Sequence, residues 1–384
     1  MQKKIPAVYM RGGSSKGLYF HENHLPQDPS ARDEVILAAY GSPDPNKRQI
    51  DGMGGAVSVT SKVAIVSPSD QPELDVNYLF GQVSIDRPII DYKGNCGNIL
   101  SGVGPFAIEE GLVKAVEPIT KVRIYQVNTK KVIVAEVPVE NGQPKVEGNF
   151  VVDGVPGSGA KITLRFLDPG GSVTGKLIPT GNLKDTIEVP GQDKYKVSII
   201  DAANPLVFVK AEDLGLKGTE IDEIDASEQI KGTLEAIRSR VAVLLGIAMT
   251  PEEATAKSQA IPKIAMVSSP KGYEAVTSKL IDASEIDLVG RTMSMGNLHK
   301  AYAVTGAICT CGAACIEGTV VNEVVRKEAL TKSEIKLGHP SGILPIEPNI
   351  EMKDEEYSYI DAGVGRTARR LMEGYVCVKE EHFY

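Results

Sequence analysis

No stretch of the 384-residue sequence is apolar for long enough to cross a membrane. The longest, around Val241 to Met249, falls far short of the ~18 to 20 residues a membrane helix needs. The chain starts with a short apolar run that contains Pro6 and ends at Arg11, so a signal-peptide core is not expected. Its five cysteines are odd in number and include no CxxC pair, which reads as a reduced, cytoplasmic protein without a disulfide framework. Positive charge is also short: 42 Lys+Arg stand against 50 Asp+Glu, a formal net charge of −8. That balance argues against a nucleic-acid binder, which would carry a basic face or stripe. Tryptophan is absent and aromatics amount to 5%. What the chain has is 42% hydrophobic residues, enough for sizeable cores, and 38 glycines, about one residue in ten. The usual share is ~7%, and in the absence of a repeat or tail the excess means many special backbone positions. The length suggests two domains at roughly 150 residues each.

Strands and short helices are mixed along the chain, with Gly and Pro at almost every junction. Residues 5–10, 57–66, 76–84, 121–127 and 131–139 read as strands, the last two as a hairpin around Asn128-Thr129-Lys130. Residues 29–39 read as a helix capped by Asp28. Residues 95–113 form an apolar helix whose glycines permit close packing and which should be buried all round. After residue 185 the plan repeats, with strands at 194–201, 206–210, 263–267 and 287–293 and an amphipathic helix at 226–247. A second small-residue helix, 305–320, echoes the first. The fold expected is α+β: two pseudo-symmetric domains, 1–185 and 186–384, each a curled, barrel-like, mostly antiparallel sheet around a central helix. The strand at 375–378 is free to return to either half.

Four Gly-rich segments stand out: Arg11-Gly12-Gly13-Ser14-Ser15-Lys16-Gly17, Gly52-Met53-Gly54-Gly55, Gly94-Asn95-Cys96-Gly97-Asn98 and Gly154-Val155-Pro156-Gly157. Such loops let backbone N–H groups approach an anion, and a helix start adds partial positive charge. Gly170-Gly171-Ser172-Val173-Thr174-Gly175-Lys176 nearly spells a P-loop but lacks the following Ser/Thr and helix, so a hairpin loop is expected there. Cys309 and Cys311 diverge on a helix and cannot share an ion; packing is expected for them and for Cys315. His21-Glu22-Asn23-His24 lacks the spacing of a helical zinc site. Cys96 differs, because a helix start favours a thiolate and suits an acid/base thiol. Lys62, in an otherwise apolar strand after a Gly-rich loop, is a candidate base.

Together with Ser61-Lys62, Asp153-Gly154-Val155-Pro156-Gly157, Pro179-Thr180-Gly181-Asn182, Asp201-Ala202-Ala203-Asn204-Pro205 and Thr305-Gly306-Ala307, these segments resemble the PrpF family through both halves of the chain. The resemblance implies the diaminopimelate-epimerase-like fold. The family includes 2-methylaconitate cis-trans isomerases, oxalomesaconate tautomerases and methylitaconate Δ-isomerases, and the chain looks most like the last. It implies a cofactor-independent isomerase that uses a lysine/cysteine pair, which falls on Lys62 and Cys96, with no metal. Since the second helix is expected to open on Thr305, a two-thiol racemase mechanism does not follow. Ser14, Ser15, Lys16, Gly54, Gly55, Asn95 and Gly97 would bind one carboxylate of a small unsaturated di- or tricarboxylate. Ser294, His299, Thr305 and Gly306 would meet the other. No nucleic-acid or membrane partner is expected, and a homo-oligomer is compatible with this reading.

Overall fold

The computed structural model describes residues 1–92, 96–259, 261–294, 296–354 and 356–383. They form two compact units, Met1–Leu167 with Gly365–Tyr384, and Asp168–Val364.

In the first unit β1 (Gln2–Gly12) turns back antiparallel into β2 (Ser15–His21). Helix α1 (Pro29–Tyr40) crosses to β3 (Lys62–Pro68), parallel to β2. Asp28 caps α1 by accepting from the Ala31 amide at 2.9 Å, and Gly41 ends it in the left-handed conformation. Strand β4 (Val76–Val83) pairs antiparallel with β3. Helix α2 (Gly97–Glu109) crosses to β5 (Ile119–Gln126), parallel to β4. Strands β6 (Lys131–Glu140) and β7 (Ile162–Leu167) continue antiparallel.

Side-chain alternation decides which residues reach α2. Leu18 and Phe20 of β2 and Val63 and Ile65 of β3 share one buried cluster with Val35, Ile36 and Tyr40 of α1. The intervening Tyr19, Lys62 and Ala64 therefore point the other way, towards α2. Ile99, Leu100, Val103 and Phe106 of α2 are buried, each worth about 1.5–3 kcal/mol. Its glycines do permit close packing: a Cβ at Gly102 would lie 2.4 Å from the Tyr19 hydroxyl, and one at Gly104 2.7 Å from Val137.

In the second unit β8 (Asp185–Glu188), β9 (Lys194–Ala202) and β10 (Asn204–Lys210) run antiparallel in turn. Helices α3 (Glu228–Leu244) and α4 (Pro251–Lys257) lead to β11 (Lys263–Ser268), parallel to β10. Strand β12 (Leu288–Ser294) is antiparallel to β11. Helix α5 (Val304–Cys315) leads to β13 (Ile335–His339), parallel to β12, and β14 (Gly342–Lys353) and β15 (Glu356–Arg366) follow antiparallel. The last strand, β16 (Ala368–Lys379), returns to the first unit and lies antiparallel along β1, from Gln2 opposite Lys379 to Gly12 opposite Ala368. Read from β16 in one unit and from β8 in the other, the pairing order is the same: antiparallel, antiparallel, parallel, antiparallel, parallel, antiparallel, antiparallel. The duplication suggested by the two small-residue helices is thus carried by the strands as well.

The units divide at 167/168, where the sequence placed the step at 185/186. The intervening segment folds onto β9. Gly171 N–H donates to the Asp201 carbonyl at 2.8 Å, and the Asp201 carboxylate accepts from the Ser172 hydroxyl and from the amides of Val173 (2.8 Å) and Thr174 (2.6 Å). The P-loop-like segment therefore wraps a carboxylate of the chain itself. The strand expected over 57–66 begins only at Lys62, because Ser58–Thr60 is a short 3₁₀ turn preceded by Ala56 at φ 62°.

Candidate active site

Lys62 opens β3, and Cys96 is the N-cap residue of α2, 8% exposed. The Lys62 Nζ donates to the Cys96 Sγ at 3.1 Å and lies 5.7 Å from the centre of the Phe80 ring. Three groups fix the lysine's backbone. The Tyr40 hydroxyl donates to its carbonyl. Gln82, its partner across β4, donates to the Ser61 carbonyl at 2.9 Å. The Ser61 hydroxyl donates to the buried Gln49 side chain at 2.7 Å, which in turn donates to Ser42 at 2.9 Å.

The turn between β1 and β2 packs on the first turn of α2. A Cβ at Gly12 would lie 2.4 Å from the Asn98 carbonyl, and one at Gly13 2.2 Å from the Asn98 Oδ1, so the motif glycines are there for close approach. Asn98 donates to the Ser14 hydroxyl at 3.1 Å and accepts from Arg366 Nε at 3.2 Å. Arg11 anchors the turn by donating to the carbonyls of Gly13 (2.9 Å) and Thr367 (3.0 Å). Burial pushes the Arg366 guanidinium down to about 10, and the neighbouring Cys96 acts in the opposite sense. The Ser15 hydroxyl is buried without a hydrogen-bond partner among the described residues.

The other expected residues are placed as follows. Lys16 alternates away from Ser15, and its Nζ lies 5.5 Å from the centre of the Tyr9 ring. The Gly54 amide donates to the Tyr40 carbonyl at 3.3 Å, and Gly55 abuts Thr60. Gly97 is the first helical residue of α2; Asn95 lies outside the described residues. In the second unit Ser294 ends β12, and His299 donates its amide to the Thr292 carbonyl while its Nδ1 accepts from the Ala301 amide. Helix α5 starts at Val304 on Ala303, with no side-chain cap, so Thr305 and Gly306 are its second and third residues and not its opening pair. No thiol occupies that helix start. Cys309 and Cys311 are buried with thiols pushed up by desolvation, and Cys315 is pushed up to about 11. Among the described residues no three His, Cys, Asp or Glu side chains converge on a metal position, and no helix is long and apolar enough to cross a membrane.

Sequence reasoning missed Arg366, Gln49 and Tyr40, and gave Asn98 no role of its own within the segment that carries Cys96. Arg366 left one signal, a single charge inside the small and apolar run Ala362-Gly363-Val364-Gly365-Arg366-Thr367-Ala368.

Comparison with known proteins extends over nearly the whole chain. The 3-methylitaconate isomerase of Eubacterium barkeri is 47% identical over 381 residues, 99% of this chain and 98% of that protein. The 2-methyl-aconitate isomerase of Shewanella oneidensis is 42% identical over 389 residues, 98% and 97% of the two chains. A crystal structure of a methylitaconate-delta-isomerase superposes with a TM-score of 0.91 at 46% identity, covering 100% of this chain and 97% of that one. A hydroxyproline epimerase from Agrobacterium vitis, at 11% identity and a TM-score of 0.51 over 99% and 94% of the chains, shares the fold. The family model described as PrpF protein matches residues 2–379, and the chain belongs to the PrpF family, with its epimerase-like α+β fold.

Proposed function

We propose that the protein is an isomerase that moves a carbon–carbon double bond by a 1,3-proton shift, converting 2-methylene-3-methylsuccinate (3-methylitaconate) to 2,3-dimethylmaleate. The observation that carries this reading is the 3.1 Å contact between the Lys62 amine and the Cys96 thiol at the start of a buried helix. The relative named 3-methylitaconate isomerase, at 47% identity, supports the choice of substrate.

The C3–H bond of this substrate is both allylic and α to a carboxylate, so its loss leaves a dienolate. One member of the Lys62/Cys96 pair removes the C3 proton; the electron pair shifts the double bond from C2=CH2 to C2=C3. The other member delivers a proton to the methylene carbon, which becomes a methyl group. Hydrogen-bond donors on the carboxylates stabilise the charge that develops between these steps. The reading needs no cofactor.

The test follows dimethylmaleate absorbance with purified protein and with Lys62→Ala and Cys96→Ala. A general acid or base contributes about 10²–10⁴-fold, so each variant should lose at least a hundredfold in kcat. Parent-like rates in both variants would show the pair to be idle. Turnover of 2-methylaconitate without turnover of 3-methylitaconate would transfer the reading to the tricarboxylate, as in the Shewanella relative.

A further inference from the structure

Arg366 is 7% exposed, yet among the described residues no carboxylate forms an ion pair with it. Among the described residues its hydrogen bonds go to neutral acceptors only, Asn98 Oδ1 at 3.2 Å and the Gly365 carbonyl at 2.8 Å. A guanidinium has five N–H donors, so most of the fork is left for another acceptor. A charge removed from water without a counter-ion is costly, and an anion arriving as a ligand would relieve that cost. The position is specific. Asn98, which orients the guanidinium, is two residues beyond Cys96, and the electrostatic influence of Cys96 reaches Arg366. On the adjoining turn the Ser14 hydroxyl is engaged by Asn98, whereas the Ser15 hydroxyl, 3% exposed, has no partner among the described residues.

We propose that Arg366, oriented by Asn98, binds a carboxylate of the substrate beside Cys96, with the Ser15 hydroxyl as a second donor. The inference rests on the isomerase reading and names the group that would hold the anion there. A planar fork matches a carboxylate through two parallel hydrogen bonds, which a lysine cannot reproduce. The same contact would place positive charge against the dienolate.

The experiment uses Arg366→Gln and Arg366→Lys, with 2,3-dimethylmaleate as the probe. Melting is followed with and without the probe, and kinetics with 3-methylitaconate. The free Gln variant should melt no lower than the parent, because an unpaired buried charge has gone. Its melting shift on adding dimethylmaleate should vanish, and its KM should rise at least tenfold. The Lys variant should recover only part of either effect. A Gln variant that fails to fold, or that folds and keeps the parent KM and melting shift, would overturn the proposal. So would full recovery by Lys, which would remove the need for a fork. Cys96→Ala separates the two readings: it should lose turnover and keep the probe-induced shift. If the parent isomerises none of the substrates but shows a shift that depends on Arg366, the isomerase reading falls and the carboxylate site stands.

Discussion

The Tyr40 hydroxyl donates to the carbonyl of Lys62, and the same oxygen accepts the amide of Leu18 at 2.8 Å. The phenol of α1 thus stitches β2 to the first residue of β3. Tyr40→Phe should leave a buried amide and a carbonyl without partners, costing about 1–3 kcal/mol of stability. Because the displaced backbone carries the Lys62 amine, kcat should fall more than KM rises. A parent-like kcat in a variant destabilised by that amount would detach the phenol from catalysis.

Two glycines should respond in opposite ways to Ala. A Cβ at Gly17 would lie 1.7 Å from the Lys62 carbonyl oxygen, a backbone atom that cannot swing aside. Gly17→Ala should abolish soluble expression or lower the melting temperature severely. Gly232, inside α3, has no atom within 4 Å of its built Cβ. Gly232→Ala should stabilise by about 0.5–1 kcal/mol, read as a higher denaturant midpoint.

Acid should act through Glu235. Its carboxylate accepts both Arg238 Nε (2.7 Å) and Nη2 (2.6 Å) and the Thr255 hydroxyl (2.6 Å), tying α3 to α4. Burial alone would raise this carboxyl, but the Arg238 and Thr255 hydrogen bonds outweigh it and hold it below its usual value. A depressed carboxyl adds stability that is full above the unfolded value of roughly 4.3 and is lost as pH falls through the lower folded value. The melting temperature should therefore drop on this limb, less steeply in Glu235→Gln. Glu235→Ala leaves the buried Arg238 without its counter-ion but with its carbonyl partners at Ser258 and Ala254, and should cost about 1–3 kcal/mol at neutral pH. Parallel acid limbs for parent and Gln variant would exclude Glu235 as their source.

Asp201 should govern the order of the segment it anchors. Asp201→Ala strips partners from the amides of Val173 and Thr174 and from the hydroxyl of Ser172. Hydrogen exchange at those two amides should quicken by an order of magnitude or more, and proteolysis between residues 170 and 176 should appear. Unchanged exchange would mean that the loop holds its shape without the carboxylate.

The positions of Lys62 in a buried strand and of Cys96 at a helix start were legible because their contexts are local, whereas their pairing came from the family resemblance. A lysine in an apolar strand and a cysteine at the head of a small-residue helix each announce an environment within a few residues. Duplication was legible for the same reason, through two similar helices. Arg366 left only the signal of a lone charge in an apolar run, because its partner Asn98 lies 268 positions away. The start of α5 was misjudged because Ala303 occupies the cap position without a polar side chain. The contact-based division falls at 167/168 and not at 185/186, and the Asp201 contacts that hold the intervening segment to β9 leave no local pattern in the sequence.

The return of β16 to β1 sets an order on synthesis. All of Asp168–Val364 leaves the ribosome before Arg366 and the strand that covers the free edge of β1. The second unit is contiguous in the chain, whereas the sheet carrying Lys62 is completed only by the last strand to be made. A prematurely terminated chain would carry the amine and thiol but neither the guanidinium nor the closing strand. Incomplete translation products would then keep an uncovered β1 edge and be prone to strand-edge association.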